Sequence, residues 1–232
     1  MDQLMVGVMW YVIFLFATTL HEAAHAWAAL RLGDATAYRG GQVSLNPWPH
    51  IRREPVGMVL LPIVSLLATG WPIGWGSAPY DRDWADRWPR RAALMALAGP
   101  AANLLLVVVA AAGIRAGMSL GTFHAPAHFR MSIVTSAASS GFPYCLARTL
   151  SMMFSLNLVL FVFNLLPLPP LDGSAAIALV TSDEVARGLR EFTATPGVSM
   201  IGLVFAWRVF DPLFAPIFTV ALNLLYPGAS YG

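Results

Sequence analysis

Apolar residues fall in long blocks along the chain, separated by stretches rich in proline, glycine and arginine. The first block runs from Leu4 to Leu30 and meets a helix stop at Leu32-Gly33-Asp34. The second, Gly57 to Thr69, is short and contains Pro62; it leads into Gly70 to Tyr80, GWPIGWGSAPY. Ala92 to Arg115, Leu146 to Pro170 and Val198 to Leu225 complete the set, the last interrupted by Arg208, Asp211, Pro212 and Pro216. A helix crossing a bilayer needs roughly 20 apolar residues, which the region 57–80 does not supply without a break. The pattern predicts an all-α membrane protein, a polytopic bundle of about five or six transmembrane helices with a re-entrant or interfacial segment at about 57–80. A single domain over 1–232 is expected, with a core at about 4–180 and a C-terminal membrane segment at about 198–226. No internal repeat is visible.

Composition sharpens this picture. The chain is 57% hydrophobic and 11% charged, against about 25% charged in a soluble domain. A net charge of +2 gives no reason to expect a nucleic-acid partner. The lone cysteine, Cys145, excludes an intramolecular disulfide and a thiolate metal cluster. Met1-Asp2-Gln3 lacks the basic start of a cleaved leader, so the first block reads as a retained membrane helix.

Charge placement orients the spans. Arg31, Arg39, Arg52 and Arg53 cluster after the first block, and Arg82, Arg87, Arg90 and Arg91 cluster after the second. The positive-inside rule puts both loops in the cytoplasm, so the N-terminus lies outside and residues 57–80 dip in and return to the same side. A multi-pass integral membrane protein is the expected setting.

The chemistry is concentrated in the first block, where His21, Glu22 and His25 interrupt an apolar helix. Ionisable groups within a membrane helix are expensive and mark function. HExxH on a helix puts two histidines on one face as zinc ligands, with the glutamate beside the open position as general base. A catalytic zinc takes a third protein ligand and leaves a place for water. Its donor must reach the depth of His21 and His25, in the cytoplasmic half. With 57–80 re-entrant, the span from Ala92 runs outward, the span from Leu146 returns inward, and Asp172 arrives on the correct side. Pro167, Pro169 and Pro170 break the helix just before it. Asp172 is the best candidate, with helix capping as its alternative role. Asn103 lies about 16 Å into its helix at 1.5 Å per residue, level with His21. It suits either a hydrogen bond to a neighbouring helix or donation to an oxyanion. Asn164 holds the broken segment or binds substrate backbone. His50, in a loop beside Pro49, is expected at the surface. His124 and His128 are expected in a loop, and Arg208 and Asp211 have the spacing of a helix-face ion pair.

HEAAH in an early span, LAGPAAN in the middle and NLLPLPPLDG late resemble the site-2 protease family of intramembrane zinc metalloproteases. GD, SLNP and GWGSAPY are similar to segments of its short bacterial and archaeal members, and the resemblance covers roughly residues 10 to 180. It implies one zinc at His21, His25 and Asp172, Glu22 as general base, and Asn103 as a substrate or oxyanion partner. It also implies a transmembrane protein substrate, cleaved in or near its membrane segment. Gly173-Ser174-Ala175, HIRREP and GWGSAPYD depart from the family pattern, outside the ligand set. The sequence leaves the oligomeric state unknown. An inactive relative, or a membrane metal-binding or transport protein, is the alternative, and Glu22 discriminates because a pure metal site does not require it.

Overall fold

A long uninterrupted apolar run leaves the backbone no polar partner but itself, so it folds as helix. In a computed structural model, which describes residues 3–195, 197–228 and 231, the first block is α1 (Gln3–Leu32). Gly33 ends it with a φ of 107°, a backbone region that favours glycine. Asp34 then accepts hydrogen bonds from the Thr36 hydroxyl and from the amides of Thr36 and Asp81, tying the end of α1 to a distant loop. Met1 and Asp2, which carry the expectation of a retained leader, lie outside the described residues.

Two short helices follow, α2 (Thr36–Arg39) and α3 (Pro47–Arg53), the latter capped by the Asn46 side chain. A π-turn at Val56–Leu60 continues into α4 (Leu61–Thr69), and Gly70 closes that helix in the left-handed conformation. Residues 71–80 then run extended, back along the path just taken. The Trp75 amide reaches the Gly57 carbonyl at 3.1 Å, and Ser77 Oγ donates to Glu54 at 2.5 Å. The segment therefore returns to the end it started from, as the charge pattern predicted.

After α5 (Arg82–Arg87) comes α6 (Pro89–Ser119), which continues through Pro100. The loop beyond it is not wholly irregular. Phe123–His124 pairs antiparallel with Ser136–Ala137, so His124 lies in a two-residue strand. Next come α7 (Phe142–Asn164), the short α8 (Asp172–Ala176), the amphipathic α9 (Asp183–Thr193) and α10 (Val198–Leu225). Among the described residues four helices, α1, α6, α7 and α10, are long and apolar enough to cross a membrane, and Val56–Thr69 is a shorter apolar element. The expectation of an all-α polytopic protein is met, with four such helices where about five or six were expected, because α8 is too short and α9 too polar to cross. Pro212 and Pro216 do not interrupt α10, prolines being tolerated within membrane-spanning helices.

Three helices build the core. Trp10, Phe14 and Ala17 of α1 meet Leu106 of α6 and Met152 and Leu156 of α7. Toward the other end of α1, Ala28 and Ala29 pack on Ala92 and Met95 of α6 and on Trp84. The small residues along this seam let two backbones approach closely, which is how helices associate where lipid removes the hydrophobic drive. A second cluster, with Ile114, Phe154, Val162 and Phe214, fastens α10 to α6 and α7.

Candidate metal centre

His21 and His25 lie one turn apart on the buried face of α1, turned toward α6. Their Nε2 atoms are 2.9 Å apart. Asp172 Oδ2 stands 3.1 Å from His21 Nε2 and 3.4 Å from His25 Nε2. The acid arrives there because α7 stops at Asn164 and the chain turns through its prolines. Gly173 is pressed so closely on the Leu165 and Leu166 carbonyls that a side chain has no room. Asp172 begins α8 without capping it, and its carboxylate turns toward the histidines instead.

Groups behind the histidines decide which way their lone pairs face. Met153 offers only a carbonyl, so Asn157 must donate to it, at 2.8 Å. Asn157 Oδ1 therefore accepts from Asn103 Nδ2 at 2.9 Å, and Asn103 Oδ1 accepts from His21 Nδ1 at 2.6 Å. His25 Nδ1 likewise donates to the Met95 carbonyl at 2.8 Å. This network assigns each ring proton to Nδ1 and leaves both Nε2 lone pairs pointing into the site. Two such lone pairs and a carboxylate oxygen repel one another unless a cation sits between them. A tetrahedral zinc with bonds of about 2.0–2.1 Å has ligand-to-ligand edges of about 3.3 Å. Edges of 2.9, 3.1 and 3.4 Å fit that ion. Gly99 of α6 adds a second sign of fit: a Cβ there would come within 2.6 Å of His21 Cε1 and crowd both Nε2 atoms.

Glu22, 5% exposed, has no hydrogen-bond partner among the described residues. Gly76 of the extended segment lies directly against it, close enough that a Cβ would meet Glu22 Oε1 at 2.8 Å. A cavity of about 440 Å³ opens beside the cluster, bounded by Asp172, Met95, Ala96, Pro170, Tyr80 and Arg190. It leaves a water-sized approach to an otherwise buried group of donors.

The remaining sequence expectations divide. Asn103 is level with His21 as its depth predicted, but it is fully buried behind the imidazole and its amide is engaged at both ends. That geometry favours a role in orienting His21 over one facing an oxyanion. The Asn164 amide bonds back to the Leu160 carbonyl of its own helix. His50 is 1% exposed, not at the surface, because the 34–55 segment folds back and encloses it. Its Nε2 donates to the Ser44 carbonyl at 3.0 Å, and Gln42 beside it holds the Ser77 carbonyl at 2.8 Å. Arg208 and Asp211 form no ion pair with each other. Asn157 and Gly99 went unassigned in the sequence, although a second asparagine in an apolar span was the available signal for Asn157.

A polytopic helical bundle with a buried HExxH and an aspartate as third candidate ligand defines a class, the membrane metalloproteases. The chain belongs to the site-2 protease family: the family model described as Peptidase family M50 matches residues 9–209. It is 35% identical over 215 residues to YwhC of Bacillus subtilis, covering 91% of this chain and 84% of that one. It is 32% identical over 186 residues to Rip2 of Mycolicibacterium smegmatis, covering 79% of this chain and 62% of the relative. Against Rip2 of Mycobacterium tuberculosis the identity is 31% over 178 residues, covering 76% of this chain and 58% of the relative. All three relatives carry the provisional name zinc metalloprotease. The chain thus spans about six-tenths of the Rip2 proteins. No solved structure matches it at a significant level.

Proposed function

We propose that this protein is an intramembrane zinc endopeptidase that hydrolyses peptide bonds in or near the transmembrane segments of membrane protein substrates. In this reading His21, His25 and Asp172 hold one zinc ion per chain and Glu22 is the general base. The observation that carries it is the convergence of the two Nε2 lone pairs and the Asp172 carboxylate beside an uncommitted Glu22. Zinc, when bound, supplies Lewis acidity that brings the pKa of water down to about 7.

The chain's own residues perform the rest. Glu22 takes a proton from water as its oxygen bonds the scissile carbonyl carbon, then returns that proton to the leaving amine nitrogen as the C–N bond breaks. Asn103 and Met95 hold the imidazoles in the tautomer that presents Nε2. The extended segment receives the substrate. Ile73 and Trp75 donate their amides inward, to Ser65 Oγ and the Gly57 carbonyl, and the Ser77 carbonyl accepts inward from Gln42. Alternation along an extended chain then turns the backbone groups of Gly74 and Gly76 the other way. An unwound substrate adds along that edge as a strand, with its carbonyls brought past Glu22. A helical substrate must unwind first, because its carbonyls are otherwise hydrogen-bonded.

The arginine-rich loops support a topology with the N-terminus outside and the site in the cytoplasmic half of a prokaryotic cell membrane. Exchanging Glu22 for glutamine tests the chemistry: zinc should stay bound while cleavage of a co-expressed membrane substrate stops. Wild-type cleavage by that variant refutes the reading, and undiminished zinc in Asp172→Ala removes the third ligand.

A further inference from the structure

The two sides of α10 differ in what covers them. Gly202 and Ala206 are buried, with Gly202 pressed on Pro169, and Phe210 packs edge-on against Phe163 of α7 with ring centroids 5.3 Å apart. The opposite side is bare: Ile201, Val204, Arg208, Asp211 and Ala215 are all exposed, with Ile201 at 72%. Of the four long helices α10 is the least covered. Those five positions are spaced alternately three and four apart, the spacing of the a and d seam through which two helices pack knobs into holes.

Two of the five are charged. Arg208 is ten residues from Val198 and Asp211 fourteen from Leu225, so neither sits at a helix end where long side chains reach the interface. Facing lipid at that depth is expensive for both. The chain's own partners do not relieve the cost, since the ion pairs among the described residues lie elsewhere.

We infer that this face of α10 is a self-association surface, on which a second copy of the chain packs in parallel and exchanges Arg208–Asp211 ion pairs. In a parallel two-fold seam like positions face each other, so the two Arg208 side chains share one layer and the two Asp211 side chains the next, three residues along. Arg208 of each copy reaches diagonally to Asp211 of the other, and the axis forms this pair twice, so that four charges close into one network that offsets the Arg208–Arg208 repulsion. A different membrane helix would have to bring an acid and a base at matching depths, whereas a second copy brings both by construction. The surface lies on α10, outside the metal cluster, so the inference does not rest on the hydrolytic reading.

Charge exchange tests it in vesicles of neutral lipid, with donor and acceptor dyes on the exposed Cys145 and energy transfer read over serial lipid dilution. Wild type should associate. Arg208→Asp alone, or Asp211→Arg alone, sets like charges against each other and should lower the association constant about tenfold or more. Mixing those two variants should restore transfer to within about threefold of wild type, because the acidic seam of one faces the basic seam of the other. An unchanged thermal unfolding midpoint shows that each variant is folded. Where it drops, the neutral Arg208→Gln and Asp211→Asn carry the test, each weakening association. Wild type that stays monomeric at every dilution overturns the proposal. So do charge variants that associate as wild type does, and a mixture that does not recover.

Discussion

Truncating Asn103 to alanine separates an orienting role from a substrate-binding one. Asn103 is fully buried, accepts from His21 Nδ1 at 2.6 Å and donates to Asn157 at 2.9 Å. Alanine leaves the His21 N–H and the Asn157 oxygen without partners, and each buried orphan costs about 1–3 kcal/mol. His21 can recover part of this by moving its proton to Nε2, the atom that must stay bare to bind metal. Loss of a group behind a metal-bound histidine weakens metal binding by about 10–100-fold, which is about 1.4–2.8 kcal/mol. That range is what one lost hydrogen bond to a ligand predicts. A chelator competition titration of purified protein in detergent measures the zinc affinity directly. Asn103→Asp keeps an acceptor for His21 and should hold zinc at least as tightly as alanine does, with a further loss confined to the Asn157 contact. An oxyanion role makes the opposite prediction: zinc affinity unchanged and turnover reduced. Zinc binding in Asn103→Ala within about twofold of wild type would therefore refute the orienting role.

Three more outcomes follow from individual contacts. Gly99→Ala should abolish zinc binding by placing a Cβ against both Nε2 atoms, although alanine favours the helix by about 1 kcal/mol; a retained metal would mean that α6 can move away. Gly76→Pro removes an outward amide beside Glu22, so cleavage should stop, and intact cleavage would end the strand-addition idea. For Asp34, burial raises the carboxyl pKa, but the Thr36 hydroxyl, the Asp81 and Thr36 amides and the Arg39 charge outweigh it and hold it below the usual value. The folded pKa is then below the unfolded one, so Asp34 stabilises the fold above the ordinary carboxylate range and loses that contribution as pH falls through its depressed value. Asp34→Asn should flatten the acid limb of the thermal stability profile, and an acid limb identical to wild type would contradict this.

Much of this protein is written in local patterns. Apolar length marked where the four long apolar helices lie, because lipid leaves the backbone no alternative, although it suggested about five or six. HEAAH needed only the helical repeat to bring His21 and His25 together, and the prolines before Leu171-Asp172-Gly173 showed where α7 had to break. Arginine placement predicted that 57–80 returns to its starting side, and the Trp75 to Gly57 and Ser77 to Glu54 contacts close that loop. Even the depth of Asn103 came from counting residues.

What counting could not say is which side of a residue its neighbours occupy. Asn103 is level with His21 in either role, and only packing puts it behind the ring. His50 looks like a surface loop residue until the 34–55 segment encloses it, and Gly99 looks like a small helix residue until two imidazoles lean on it. The prolines of α10 read as breaks, yet the helix runs through them. Each of these depends on partners far along the chain, and sequence periodicity reports direction and depth along one element without reporting what stands opposite. The histidines were legible in the sequence as candidate ligands; the tautomer that turns their lone pairs inward was decided by Asn103, Asn157 and two backbone carbonyls, which only the folded chain brings together.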